Sequence, residues 1–131
     1  MGNRYIDWFR QAQADLRHAH NALGTDDYEW SCFAAQQSAE KAIKSLFQKL
    51  SMEAWGHTLI VLLGNLPPDR QPSPELMDYA RSLDKHYIPT RYPNGFDSGA
   101  PTDFYTRKEA EDACNYATAL LEFCDHQISR S

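Results

Sequence analysis

The 131-residue sequence lacks a long hydrophobic run, and its longest apolar stretch is the short segment from Leu59 to Leu63. A helix that crosses a bilayer needs about 20 consecutive apolar residues, so the sequence predicts no membrane span. Strand signals are also missing, because no segment alternates convincingly between apolar and polar residues. These two absences argue against a membrane protein and against a β-sheet protein.

Cysteine is scarce, with only Cys32, Cys114 and Cys124, and no two of them form a CxxC pair. This spacing argues against a zinc site. Cys114 and Cys124 stand ten positions apart on one predicted helix. That separation is about 15 Å along the helix axis, which is too far for a disulfide. We therefore expect three small buried hydrophobic side chains in a reducing cytoplasm, with neither a metal nor a cofactor.

Basic residues are not in excess, since 13 Lys and Arg stand against 18 Asp and Glu and give a net charge of −5. Proteins that bind duplex DNA usually present a strongly basic surface, so we do not expect duplex DNA as a partner. A local basic patch is still compatible with this balance, because Arg81, Lys85 and Arg91 lie close together in the sequence.

Helical periodicity is present along almost the whole sequence. Apolar residues recur at three- and four-residue steps over positions 5–23, and Gly24 ends this first helix. Asp26 or Asp27 is expected to cap a second helix that runs to about Leu50. The expected core side of the second helix is Trp30, Phe33, Ala39, Ile43, Leu46, Phe47 and Leu50.

The second half of the sequence predicts three more helices. A short apolar helix occupies the region 57–65, and a Ser-Pro helix start opens a longer helix over positions 73–85. A long loop over positions 86–105 follows, and a capping box at Thr106–Glu109 opens the last helix. The sequence thus predicts an all-α, five-helix, up-and-down bundle in one domain of residues 1–131, with a long loop before the last helix.

Polar residues form two rows on the second helix. One row, at four-residue steps, is Gln36, Glu40 and Lys44, and the neighbouring row is Gln37 and Lys41. Pairs at i and i+4 weakly stabilise an exposed helix face, so a solvated surface is one interpretation. The other interpretation is a polar stripe that meets a partner helix or a loop.

The segment from Leu83 to Pro93 concentrates aromatic and charged side chains on a backbone that its prolines restrict. In one interpretation, Asp84 pairs with Arg91, while Tyr87 and Tyr92 pin the loop onto the bundle. In the other interpretation, the tyrosines stack on a base and Arg91 holds a phosphate with its guanidinium group. Rigid loops often carry binding residues, so this segment is a candidate functional site.

His57, Arg81 and His86 are further candidates. His57 precedes a helix, where it either caps or packs that helix or contacts an anion beside its N-terminus. Arg81 and His86 form an R-x4-H pair, in which the histidine can act as general acid or base on a ribose hydroxyl and the arginine can stabilise a phosphate. On a continuous helix these two side chains would point about 140° apart. They converge only if the helix ends between them or a second subunit completes the site.

Two motifs give the sequence a family resemblance. The Gln-Gln-x-x-Glu-Lys helix at Gln36–Lys41 and the Tyr-Ile-Pro-Thr-Arg-Tyr-Pro loop at Tyr87–Pro93 resemble the HEPN (higher eukaryotes and prokaryotes nucleotide-binding) domain. The resemblance runs from about Tyr5 to Cys124. It implies a five-helix bundle that often dimerises and that, in bacteria and archaea, is commonly encoded beside a minimal nucleotidyltransferase. Several such pairs are toxin–antitoxin systems.

The resemblance also implies two kinds of activity. Some members are metal-independent RNases with an R-x4-6-H motif at the dimer interface, and others are binding modules. Active members usually carry Asn, Asp or His after the arginine, whereas Ser82 follows Arg81 here.

We therefore expect a cytoplasmic homodimeric binding module that binds a nucleotide or an RNA phosphate and pairs with a nucleotidyltransferase subunit. The expected ligand-binding residues are His57, Lys85, Tyr87, Arg91 and Tyr92. One alternative is an endoribonuclease toxin that uses Arg81 and His86, and another is a structural dimer without a ligand.

Overall fold

The computed structural model describes residues 3–87 and 98–131. These residues contain no strand. Their helices, in chain order, are α1 (Tyr5–Gly24), α2 (Tyr28–Lys49), α3 (Leu59–Gly64), a 3₁₀ helix (Pro68–Arg70), α4 (Pro74–Asp84), α5 (Pro101–Phe104) and α6 (Arg107–Ser129). No helix in the described part of the chain is long and apolar enough to cross a membrane.

The number of helices differs from the sequence prediction, although the all-α class is confirmed. The described residues form six α-helices, so the prediction of five was wrong. The additional helix is α5, which lies inside the stretch predicted as a loop. Pro101 occupies its first turn, and the Asp103 carboxylate accepts a hydrogen bond of 2.9 Å from the Ala100 N–H. This helix has four residues, which are too few to show an apolar period.

The helix starts predicted from capping residues are largely confirmed. The Ser73 hydroxyl accepts a hydrogen bond of 3.2 Å from the Leu76 N–H at the start of α4. At the start of α6, the Thr106 hydroxyl accepts from the Glu109 N–H, and the Glu109 carboxylate accepts in return from the Thr106 N–H, both at 3.2 Å. Asp27 stands at the N-cap position of α2, but its side chain makes no capping hydrogen bond there.

The central helix of the bundle is α2, which packs against α1 and α6 and also contacts α3, α4 and α5. Five alanines on α1 and α2 have no exposed surface: Ala12, Ala19, Ala35, Ala39 and Ala42. Small side chains let two helix backbones approach closely, and this brings backbone carbonyls of α1 within reach of side chains on α2.

Three serines use that close approach, and they stand seven residues apart on α2. Ser31, Ser38 and Ser45 donate hydrogen bonds of 2.7, 2.6 and 2.6 Å to the carbonyl oxygens of Ala19, Ala12 and Tyr5, respectively. The acceptors are also seven residues apart and run in the opposite order, so α1 and α2 are antiparallel. Because buried hydroxyls need partners, the ladder fixes the register of the two helices.

The predicted core is largely found, with one exception. Trp30 was expected to face the core, but 48% of its surface is exposed, and its ring meets Phe33 edge to face at 6.2 Å. All three cysteines are buried and free, as predicted. Burial is the main cause that raises the pKa of each thiol, which therefore stays protonated and behaves as a small hydrophobe.

Asp84 links the end of α4 to the start of α3. Its carboxylate accepts hydrogen bonds from the Leu59 N–H at 2.7 Å and from the Ile60 N–H at 3.2 Å. These are two of the amide groups that an isolated helix would leave unsatisfied at its N-terminus. The sequence suggested Arg91 as a partner of Asp84, but Arg91 lies outside the described residues.

We predict that Asp84→Ala destabilises the fold by about 1–2 kcal/mol, because α3 loses its capping carboxylate and two amide groups lose their acceptor. Urea unfolding measures this loss. The matched control is Asp78→Ala on the same helix, where an exposed ion pair with Arg81 is removed. We expect the control to cost about 0.5 kcal/mol or less. Equal losses in the two variants would contradict the capping role.

Candidate functional site

Glu40 lies at the centre of a polar network on α2. Only 7% of its side chain is exposed, and its Oε2 accepts from Lys44 Nζ at 2.9 Å and from His57 Nδ1 at 2.8 Å. Its Oε1 accepts from Gln36 Nε2 at 3.2 Å. Gln36 and Lys44 stand four residues before and after Glu40, so the helix itself places them on the same side. The buried carboxylate therefore has three donors.

His57 extends the network towards solvent. Because Nδ1 faces a carboxylate, this nitrogen carries the proton, and Nε2 is left for another partner. The His57 side chain is 55% exposed, and its ring stacks on Tyr87 with centroids 5.0 Å apart and planes 15° apart. The Tyr87 ring in turn contacts Phe33 at 6.4 Å. The network thus orients an exposed imidazole that lies on an aromatic platform.

The two polar rows of α2 have different surroundings. The Gln36 amide donates to Glu40 and also, at 3.4 Å, to the His57 carbonyl, while it accepts from Gln37 Nε2 at 2.7 Å. Lys41 instead forms an ion pair with Asp15 on α1. The row of Gln36, Glu40 and Lys44 therefore meets the connection between α2 and α3, and Gln36 and Glu40 are buried rather than solvated.

Two amide groups at the N-terminus of α3 are closed to a phosphate, because the Asp84 carboxylate already accepts hydrogen bonds from the Leu59 and Ile60 N–H groups. Burial raises the pKa of Asp84, although its two amide hydrogen bonds act in the opposite direction, and the charge of Glu40 adds to the rise. An anion beside His57 would therefore have to be held by side chains rather than by this helix terminus.

Arg81 and His86 have different partners within one chain. The helix α4 ends at Asp84, between them. The Arg81 guanidinium pairs with Asp78 at 2.8 Å, and both side chains are exposed. The His86 ring lies against Tyr105, with Nδ1 3.4 Å from the phenol oxygen. Lys85 stands at the C-cap position of α4 and is exposed.

His86 lines a small cleft between α4 and α6 of about 180 Å³. The other residues of this cleft are Ser82, Lys85, Glu109, Asp112, Ala113 and Tyr116. Burial lowers the pKa of His86, Lys85 lowers it further and Glu109 opposes the shift. The imidazole is therefore neutral near pH 7 and can accept a proton. Arg81 is not among the described residues that line this cleft.

Two candidate ligand-binding residues, Arg91 and Tyr92, lie outside the described residues. Tyr87 is the last described position before them, and it belongs to the aromatic platform. Of the five candidates, the structure brings His57 and Tyr87 into direct contact. No group of three or more His, Cys, Asp or Glu side chains in residues 3–87 and 98–131 could hold a metal ion.

Sequence reasoning missed the roles of Glu40 and Asp84. The row that contains Glu40 was interpreted either as a solvated face or as a polar stripe that meets a partner helix or a loop, and only the position of His57, 17 residues later, shows what Glu40 orients. The capping of α3 by Asp84 spans 25 residues. The available signal was a carboxylate at the end of one predicted helix, but Thr58 at the N-cap position of the preceding short helix is itself a capping residue type, although its side chain makes no capping hydrogen bond here.

Comparison with known proteins gives consistent matches. Residues 5–127 match the model of the HEPN domain family. A Methanocaldococcus jannaschii protein named as a putative toxin is 25% identical over 124 residues, which cover 88% of this chain and 82% of that protein.

Solved structures are also similar. A protein of Thermus thermophilus is 46% identical, with a TM-score of 0.93, and the match covers 96% of this chain and 99% of that one. An archaeal HEPN homologue is 40% identical, with a TM-score of 0.80 and coverage of 98% and 99%, respectively. A HEPN domain protein of Thermotoga maritima is 38% identical, with a TM-score of 0.79 and coverage of 95% and 99%.

We predict a pH effect on stability from His86. Because burial lowers the pKa of the folded-state imidazole below its ordinary value of 6.5, the unfolded chain binds more protons below that pH. The contribution of His86 to stability is therefore fully present above pH 6.5 and is lost as the pH falls towards the lower, folded-state pKa. Free energies of unfolding at pH 7.5 and 5.5 should differ less in His86→Gln than in the wild type. Equal differences would contradict this assignment.

Proposed function

Because this chain belongs to the HEPN family, we propose that it is a dimeric binding module that takes a nucleotide or an RNA phosphate beside His57 and Tyr87. It acts in the cytoplasm, as a single domain, together with a nucleotidyltransferase subunit in a toxin–antitoxin pair. The support for the toxin–antitoxin part is the relative from Methanocaldococcus jannaschii, whose name describes a toxin.

The observation that carries the binding proposal is the exposed His57 ring, held between Glu40 and Tyr87. A buried carboxylate that fixes one ring nitrogen directs the other towards a ligand. An imidazolium ring donates from both nitrogens, so His57 can hold Glu40 and a phosphate oxygen at the same time. The stacked Tyr87 gives the imidazole a fixed plane, so little side-chain freedom is lost on binding.

The other proposed ligand contacts are Lys85, Arg91 and Tyr92. Lys85 adds a positive charge at the end of α4, two residues before Tyr87. Arg91 and Tyr92 follow Tyr87 in the sequence and supply a guanidinium group and a phenol ring. Such groups recognise a phosphate and a base, respectively.

We predict that isothermal calorimetry of the wild type with UMP, AMP and a short single-stranded RNA shows binding to at least one of them. His57→Ala should weaken that binding about tenfold, which corresponds to one charge-assisted hydrogen bond of about 1.4 kcal/mol. The control is His18→Ala, which removes an exposed histidine from α1. It should leave the affinity unchanged. Absence of heat with all three ligands would rule out the binding module and favour a structural dimer without a ligand.

The second candidate function is a metal-independent endoribonuclease with Arg81 and His86 as the catalytic pair. The observation in its favour is His86, which lines a cleft and is neutral near pH 7. A neutral imidazole can take the proton of a ribose 2′-hydroxyl. Arg81 is directed to Asp78 within one chain, so this reaction needs the arginine to leave that pair or a second subunit to supply one.

An RNA-cleavage assay with a chelator present tests this candidate. If it is correct, the wild type cleaves without metal and His86→Ala is slower by a factor of about 100 or more. His126→Ala is the matched control, because this histidine is exposed near the end of α6. The hypothesis of a catalytic pair is wrong if the wild type does not cleave RNA, or if His86→Ala cleaves it at the wild-type rate.

A further inference from the structure

A second cleft, of about 310 Å³, lies where α1, α2 and the segment after α2 meet. It does not include His86, and its lining residues come from three parts of the chain: Trp8 of α1, Lys44, Phe47 and Gln48 of α2, and Met52, Glu53, Ala54 and Trp55 of the connection to α3. The volume is at the lower end of the range for ligand pockets, so it suits one ring system rather than a large molecule.

Two indole rings, those of Trp8 and Trp55, line this cleft. Trp55 is 77% exposed, which is the largest exposure among the large hydrophobic side chains of the described residues. Trp8 is half-buried. An aromatic side chain with the exposure of Trp55 gains little from the core, and exposed aromatic rings are the groups on which proteins stack single-stranded bases.

The cleft is also rich in hydrogen-bond donors. Gln48 contributes a side-chain amide, and Trp8 and Trp55 contribute two indole N–H groups. Lys44 uses one of its three ammonium protons for Glu40, at 2.9 Å. The cleft therefore combines flat apolar surfaces with several donors and with the Glu53 carboxylate, which accepts hydrogen bonds, and its natural ligand is a flat ring that carries acceptor oxygens and an N–H group.

We propose that this cleft binds a nucleobase with carbonyl oxygens, uracil or guanine, from a mononucleotide or from single-stranded RNA. The base stacks on Trp55 and Trp8, and its carbonyl oxygens accept from Lys44 and Gln48. Lys44 also holds Glu40, which orients His57, so one lysine joins the base cleft to the phosphate site. The inference rests on the proposed binding function and names the class of base that this function selects.

The test is binding of UMP, GMP, AMP and a short oligouridylate to the full chain, measured by calorimetry and by tryptophan fluorescence. We expect UMP to quench the tryptophan fluorescence through the cleft, and Trp55→Ala to weaken UMP binding about tenfold, as for loss of one stacked base. Gln48→Ala should reduce the preference for UMP over AMP. The matched control is Trp30→Ala. It removes an exposed indole that lies on α2 and outside the cleft, and it should leave the affinity for UMP unchanged.

The outcomes separate this inference from the proposed function. If the wild type binds a probe and Trp55→Ala binds it equally well, the cleft is not the base-binding site, whereas the phosphate site beside His57 still stands. Affinities for UMP and GMP that both equal the affinity for AMP overturn the base preference. No binding of any probe to the wild type overturns both proposals. If UMP alone binds, the source of the base is a mononucleotide, and binding of only the oligouridylate identifies RNA.

Discussion

The candidate site depends on the hydrogen bonds that the buried carboxylate of Glu40 accepts. This carboxylate is a buried charge, and a buried charge is tolerated only when donors compensate for the lost water. Lys44 and Gln36 come from its own helix, and His57 comes from the connection that follows. Satisfying one carboxylate thus fixes the position of that connection. The orientation of His57, its stacking on Tyr87 and the position of Lys44 beside the second cleft all follow from this one requirement.

The packing of α1 and α2 determines which side chains of α1 surround the polar residues on the neighbouring sides of α2. The serine ladder holds the two helices antiparallel at close range, so α2 has almost no solvent on its α1 side. Asp15 of α1 then pairs with Lys41, and Trp8 of α1 reaches the cleft that Lys44 lines. The register of one helix pair therefore sets which side chains of α1 meet the polar rows of α2. The functional surface is a consequence of packing as much as of the polar residues themselves.

The sequence predicted the helices well because apolar periodicity and capping residues act locally. Ser73, Thr106 and Glu109 mark helix starts within three residues of the amides they satisfy. The burial of Glu40 could not be predicted in the same way, because a row of Gln, Glu and Lys at four-residue steps is equally typical of a solvated face. The exposure of Trp30 has a similar cause, since Trp30 stands seven residues before Gln37 and lies on the side of α2 that carries Gln37 and Lys41.

The measurement that tests the central claim most directly is a double-mutant cycle between Glu40 and His57, from the free energies of unfolding of Glu40→Gln, His57→Ala and the double variant. If the buried carboxylate orients the imidazole, the two substitutions are coupled by about 1 kcal/mol. This value is below that of a fully buried charged hydrogen bond because His57 is half-exposed. A coupling of zero, within the usual error of about 0.3 kcal/mol for independent sites, would contradict the account.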